Sequence, residues 1–498
     1  MGKDARPGVA DVESWLFERP RTNVFVVVAT AGALAVGAAA TVRPVDGIAL
    51  VAVIALGIAV VARPVLGAYL LVAIVPVTAG FQKGFPIGNV NLSEALVAFV
   101  GGLLLLTVPR HGHLRWYAFD WMLFAFCAGW FVFGAADAVL LHAGLGYSSL
   151  DPLIGPFQFL ILYRSLAVTL RRPQQRRWAL TVLFLSSLPV DLVAFLQQAR
   201  IEVVNRLVAR MTGSDVFGSY AFHYFARATG PFPHWTPLAG YLTVILMSGL
   251  ACLLSRVELP ISRHGLEVVL ILGAIALVLS AELSAICCSI GGAIVLGIWA
   301  GRTRAALRAL AITAAVVALV AGPYLDARLN TQFSQSAGSG RSSLVPQTIS
   351  YRWQIWTQQY LPAIRDRLLT GWGQTLPASI TWPYTESQYV TVLMAGGLPL
   401  FVLFCYELQA LYKFGRRIAR SDGDDAILTR SLGSALAVLV LISVPMIAVY
   451  PYLTSGGMPA PLFIVAGIAA AAYFGRDAGD RARPAGTRTA EGVRAALT

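Results

Sequence analysis

The sequence predicts an all-α, polytopic transmembrane helical bundle of about 12 to 14 spans, with a large extracytoplasmic loop containing short surface helices. Two observations carry this prediction. The 498-residue chain is 57% hydrophobic and only 13% charged, with a mean hydropathy of +0.68, far from the balance of a water-soluble domain. Apolar runs of roughly 17 to 25 residues, the length of helix that crosses a hydrocarbon core of about 30 Å, recur along nearly its whole length. Nothing is left over for a second soluble domain.

A mixed-charge leader, 1–22, comes first and is assigned to the cytoplasm. The run at 23–42 is longer than the apolar region of a signal peptide and is read as a retained first span. Further runs follow at 47–62, 65–80, 93–109, 118–140, 152–170, 178–196, 236–254, 266–281, 284–301, 307–325, 388–412, 429–450 and 456–475, giving one transmembrane domain over 23–475. With the amino terminus inside, the basic segments "PRHGHLR" (109–115), "RRPQQRR" (171–177), "SRVELPISRHG" (255–265), "GRTRAALR" (301–308) and "KFGRRIAR" (413–420) share the cytoplasmic side. The basic tail, 476–498, joins them and is expected to be disordered, so both termini are placed in the cytoplasm. The net charge of +13 is therefore a membrane-topology signal, and the expected partner is the bilayer rather than nucleic acid. The five cysteines, Cys127, Cys252, Cys287, Cys288 and Cys405, lie inside apolar runs without zinc-type spacing and are expected to be buried thiols.

Two long segments, 197–235 and 326–387, then fall outside. Both are basic, with Arg200, Arg206, Arg210 and Arg227 in the first and Arg328, Arg341, Arg352, Arg365 and Arg367 in the second. Long loops obey the charge rule weakly, and an outer face this rich in arginine suits an anionic ligand. In "YRWQIWTQQYLPAIRDRLLTGWGQ" (351–374), Trp353, Trp356 and Tyr360 recur at helical spacing. The spacing predicts a short surface helix with Arg352 at the edge of an aromatic stripe, ended or bent by Pro362 and followed by a glycine-permitted turn. Arg352 there is either a phosphate ligand or a snorkelling interfacial anchor. A second stretch, "FARATGPFPHWTPLAGYL" (225–242), is held irregular by proline and glycine, with Arg227 and His234 beside the turn. In the third, "TESQYVTVLMAGGLPLF" (385–401), Thr385 reads as a helix cap and Glu386 as a first-turn carboxylate, while Gly396, Gly397 and Pro399 predict a thin or kinked helix.

Further carboxylates border the spans: Glu94, Asp137, Asp191, Glu282 and Glu407. All are functional candidates by default; Glu282 breaks an apolar run at an outer turn, "SAELSAICC", and the first three map to the outer side, where the alternative role is pairing with the arginines. Arg164 is expected to snorkel to the cytoplasmic surface, and "SDGDD" (421–425) to be solvated. No Walker loop, paired-aspartate nucleotide-sugar site or metalloprotease helix occurs, so no metal or other cofactor is expected, and any transferred group must arrive already activated.

These motifs resemble the O-antigen ligase and O-antigen polymerase superfamily of membrane glycosyltransferases. The likeness rests on Arg352 and Trp356 followed by Gly371 and Gly373, on the polar box Glu386, Ser387, Gln388 and Tyr389 ahead of Gly396, Gly397 and Pro399, and on Arg227, Gly230 and Pro237. It extends over roughly residues 160 to 450. The resemblance implies a polyprenyl-diphosphate-linked glycan donor, a glycan or lipid acceptor, contact with other polysaccharide-assembly proteins, and residence in a bacterial cytoplasmic membrane. It implies an inverting, metal-independent transfer with Arg352 and Arg227 on the diphosphate and Glu386 as base. Arg210, His234, Ser387, Gln388, Tyr389, Trp356 and Glu282 are then substrate-binding candidates. The chain departs from the ligase pattern in two places: Glu386-Ser387 stands where ligases usually carry His-Asn, and the turn at 280 lacks their usual Ser-Arg. These departures favour an exopolysaccharide or capsule polymerase over a ligase. A transporter or lipid-linked glycan flippase is the reading from another class, and it predicts charge at the midplane rather than at the outer face.

Overall fold

The computed structural model describes residues 44–81, 91–108, 116–141, 152–214, 216, 227–334, 347–421, 425–454 and 456–482. The leader, the first apolar run, "PRHGHLR", Arg341, residues 422–424 of "SDGDD" and the end of the tail lie outside the described residues. Every other predicted run falls on helix, the run at 178–196 being divided between two helices at Ser186, and no strand occurs among the described residues. Six helices are long and apolar enough to cross a membrane, and shorter apolar helices accompany them.

The chain divides into two units, residues 1–64 and 65–498. In the first, α1 (Pro44–Ala62) is an unbroken apolar helix. The second opens with α2 (Pro64–Thr78) and α3 (Leu92–Thr107), which contains a π-turn at Val97–Gly101. Then follow α4 (Ala118–Leu141), α5 (Phe157–Thr169), α6 (Pro173–Leu185), α7 (Ser187–Gln198) and the amphipathic α8 (Glu202–Thr212). The series ends with α9 (Trp235–Ser255), α10 (Arg263–Leu279), α11 (Leu283–Trp299), α12 (Thr303–Ser334), α13 (Gln347–Ile355), α14 (Leu361–Asp366), α15 (Gln388–Ala419), α16 (Ala426–Val449) and α17 (Pro459–Ala482).

α9 and α16 form the centre, packed on each other, with α10, α11 and α15 around them. Without a hydrophobic drive between helices in lipid, close approach depends on small residues. Gly415 of α15 and Gly433 of α16 meet backbone to backbone, such that a Cβ on Gly415 would lie 2.8 Å from Ala437 N. The outside is apolar, as a lipid-facing surface must be: Leu319 on α12 is 86% exposed and Leu106 on α3 is 73% exposed.

Several expectations change. Cys127 and Cys252 are buried, but Cys287 and Cys405 are exposed and Cys288 partly so, because they sit on the outer faces of apolar helices. Arg164 does not snorkel. It is buried, pairs with Asp120 at 3.3 Å and lies over the Trp116 ring, since an inward-facing position on α5 leaves no path to the surface. Asp425 is likewise buried, held by Arg177 at 3.0 Å and Arg176 at 3.8 Å rather than by water. Of the three carboxylates mapped to the outer side, Asp137 pairs with an arginine, Arg367, at 3.6 Å. Glu94 closes a capping box at the start of α3 and accepts from Gln158. Asp191 is buried, and neither of its oxygens has a described hydrogen-bond partner.

Candidate functional site

The site is built on four backbone turns where helices start or stop. At Leu279, α10 ends through Ser280, and Ala281 takes a left-handed φ of +51 before α11 begins. Glu282 is the residue just ahead of α11. Arg227 locks onto this turn: its Nε donates to Ser280 O at 3.1 Å, and its Nη2 donates to Ala281 O at 2.7 Å and to Glu282 Oε2 at 3.4 Å. Trp235, the first residue of α9, supports the guanidinium from its face at 4.0 Å. Burial, partly offset by Glu282, pulls the Arg227 guanidinium down to about 10, still protonated at neutral pH.

The second half comes from the segment 347–387. α13 carries Arg352 and runs into a π-turn, Trp356–Tyr360, before α14. Pro362 therefore does not end the helix: the π-turn ahead of it places proline in the first turn of α14, where its missing N–H costs little. The same turn breaks the expected aromatic stripe. Tyr360 is fully buried with Ile355, Ala363 and Ile364, Trp356 packs against that cluster, and Trp353 stands 62% exposed. Gly371 and Gly373 both take left-handed backbone, and a Cβ on Gly371 would lie 2.6 Å from Gly396 N, so only glycine fits this turn against the break in α15. That break is at Gly396 and Gly397, both non-helical, as the thin-helix reading expected.

Thr385 is not the cap of α15. The cap position is Ser387, and Thr385 Oγ1 bonds Thr391 Oγ1 at 2.6 Å. Glu386 consequently lies outside the helix in a left-handed conformation, φ +54, uncommon for a non-glycine residue. Its carboxylate faces Arg352 instead of the helix dipole. Arg352 Nε and Nη2 both donate to Glu386 Oε2, each at 3.2 Å, with the two side chains 17% and 19% exposed. Trp356 fixes the backbone beneath this pair by donating from Nε1 to Thr385 O at 2.8 Å. Among the described residues, Nη1 of Arg227, Nη1 of Arg352 and Oε1 of Glu386 make no hydrogen bond, so each ion pair keeps an edge for a ligand.

His234 joins the halves. It caps α9, with Nδ1 2.7 Å from Thr236 Oγ1, and lies against Trp235 and parallel to the Tyr450 ring at 6.0 Å. Burial among these rings, with Arg227 and Arg352 both bearing on it, pushes its imidazole down to about 3. It is neutral at physiological pH. Since the unfolded chain would titrate near 6.5, this neutral ring supports the fold fully above that value and loses its contribution as pH falls towards 3. The melting temperature of His234→Gln should therefore drop less than that of the wild type when pH is lowered from about 7 to about 4. An equal drop in both would remove His234 from the acid response.

Sequence reasoning also missed members. Arg328, near the carboxyl-terminal end of α12, stands in the field of Glu282, Tyr324 and Arg352 and brings a third guanidinium to the cluster. Tyr324 on the same helix donates to Leu279 O at 2.9 Å, and Tyr452 meets Ser284 Oγ at 3.1 Å. Tyr450 and Tyr452 flank Pro451 in the turn between α16 and α17, a polar aromatic signal that is visible in the sequence. Other candidates lie apart. Arg210 is exposed in the last turn of α8 and pairs with no described carboxylate. Gln388 is buried and accepts from Leu453 N and Thr454 Oγ1, while Tyr389 donates to Val444 O. Ser387 is buried, with its Oγ 3.5 Å from Ile447 O, so these three tie α15 to the end of α16 and the turn that follows. Among the described residues no three His, Cys, Asp or Glu side chains gather as a metal site.

Residues 268–405 match the family model described as Wzy_C, O-antigen ligase. No curated protein matches the chain. The matched region contains Glu282, Arg328, Arg352, Glu386 and the Gly396–Gly397 break, and Arg227 and His234 precede it. The match supports a membrane glycan ligase or polymerase of surface polysaccharide synthesis, working on lipid-linked glycans.

Proposed function

We propose, on the match of residues 268–405 to the O-antigen ligase family model, that this chain is a glycan polymerase joining polyprenyl-diphosphate-linked oligosaccharides at the outer face of a bacterial cytoplasmic membrane. The observation that carries this reading is the pair of half-buried ion pairs, Arg227–Glu282 and Arg352–Glu386, set with Arg328 around one polar site where helices of an apolar bundle begin and end. An anionic diphosphate is the ligand such a cluster suits: three guanidiniums in a weakly solvated place, two of them fixed in position by carboxylates.

In the proposed reaction an acceptor-sugar hydroxyl attacks the anomeric carbon of the donor glycan from the side opposite the diphosphate. The new carbon–oxygen bond forms as the bond to the diphosphate oxygen breaks, with inversion, and the electron pair leaves on that oxygen. Glu386 Oε1 takes the hydroxyl proton. Nη1 of Arg227 and Nη1 of Arg352 donate to the departing diphosphate, where negative charge grows. Arg328 supplies the positive charge that the turn at 280 lacks beside Glu282. In this orientation both termini are cytoplasmic.

A ligase that moves one finished glycan to a lipid or protein acceptor is the second reading, and the Arg-rich cluster suits its donor equally. Glu386-Ser387 in place of His-Asn is what favours the polymerase. Purified full-length protein given a lipid-linked repeat unit should yield a ladder of lipid-linked products, resolved by gel electrophoresis. One transfer to an added lipid acceptor without a ladder would reverse the choice, and an unconsumed donor would sink both readings.

A further inference from the structure

A second polar concavity sits at the other end of α15. A cavity of about 600 Å³ is lined by Tyr412, Lys413, Arg416, Arg417 and Arg420 from the last turns of that helix, with Tyr473 from α17 closing one side. At about 1.5 Å per residue, the helix separates it from Arg352–Glu386 by on the order of 40 Å, which is a full membrane thickness.

Positive loops and a helix carboxyl terminus account for the presence of basic residues here. They do not account for the arrangement. Arg416 is laid over the Trp299 ring of α11 at 4.1 Å and Arg417 over the Tyr473 ring at 5.6 Å, so two helices other than α15 hold these guanidiniums in place. None of the four cations forms an ion pair with a described carboxylate. The nearby Asp425 is taken up by Arg176 and Arg177. Four clustered charges without a described counter-ion, with tyrosines at the rim, form a receptor for a multiply hydrogen-bonding anion at headgroup depth.

We propose that this cavity binds the phosphate headgroup of an anionic phospholipid in the leaflet opposite the candidate active site, with Arg416 and Arg417 donating to the phosphate and Lys413 and Arg420 adding charge. The ends of α15 and α17 that form it, with α11 beneath Arg416 through Trp299, are thereby tied together by a lipid. The inference is independent of the glycan-transfer reading, since it uses none of the same residues.

The test is native mass spectrometry of the full chain in neutral detergent, titrated with phosphatidylglycerol or with phosphatidylcholine. Phosphatidylglycerol should bind about tenfold or more tightly than phosphatidylcholine. Arg416→Gln/Arg417→Gln should lose most of that preference, and Arg416→Lys/Arg417→Lys should keep part of it. Arg304→Gln/Arg308→Gln removes the same charge from the exposed start of α12, outside the cavity, and should keep all of it. Unchanged preference in the Arg416/Arg417 glutamine variant overturns the proposal, as does an equal loss in the Arg304/Arg308 variant. Full displacement of the lipid by millimolar inorganic phosphate would assign the cavity to a soluble anion and overturn it as well. Melting temperatures of all variants in the same detergent separate lost binding from lost folding.

Discussion

Arg352→Ala should lower kcat for glycan transfer by about 10²- to 10³-fold, the usual consequence of removing one fixed donor from a site where negative charge develops. Arg352→Lys should recover little of this. The guanidinium reaches Glu386 through Nε and Nη2 and has Nη1 left for the ligand, and an ammonium cannot hold both directions at once. Arg227→Ala is expected to match it in size but is the less clean experiment. Arg227 also binds the 280–282 turn through two carbonyls and Glu282 and lies on Trp235, so its loss loosens the entrance to α11. The pair Arg352–Glu386 is mostly buried, so Arg352→Ala also leaves the Glu386 carboxylate without its partner and should lower the melting temperature. The kcat loss, measured as donor consumption in reconstituted vesicles, is therefore read at a temperature well below the variant's own melting point. Normal kcat in Arg352→Ala would remove Arg352 from the reaction.

The bundle was legible in the sequence because a bilayer imposes one length on every span, and that length is visible as an apolar run. The glycine features were legible for a similar local reason: Gly371, Gly373 and Gly397 each take a positive φ that other residues strain to adopt, and Gly396 adjoins the last of them. What was not legible is pairing across sequence. Arg352 and Glu386 are 34 residues apart, Arg227 and Glu282 are 55 apart, and no local pattern relates either pair. The π-turn at Trp356–Tyr360 shows the same limit at short range, since one extra residue per turn moves Trp353 out of a stripe that ideal helical spacing puts it in. Buried charges depart from the sequence expectation in one direction. A sequence shows Arg164 and Asp425 as groups that would seek water, whereas each finds its counter-ion inside the bundle.

Glu386→Gln carries the second large effect, because it separates two roles that one carboxylate can hold. As general base, Glu386 must be ionised and must reach the acceptor hydroxyl. Its Oε2 is committed to Arg352, and its Oε1 is the oxygen with room for a hydroxyl. Its left-handed backbone, φ +54, costs free energy that a solvated loop glutamate would not retain, and strain held at a polar site is a reason to look for function there. Glutamine meets the same backbone cost and preserves the side chain's size, so the variant tests the charge alone. If Glu386 is the base, kcat falls by about 10²- to 10⁴-fold with KM for the lipid-linked donor little changed. If Glu386 only positions Arg352, KM for the lipid-linked donor rises and kcat is largely kept. A kcat near wild type in the glutamine variant would leave the proton to another acceptor. Glu282 is then the group to test, since it shares Arg227 with the proposed diphosphate.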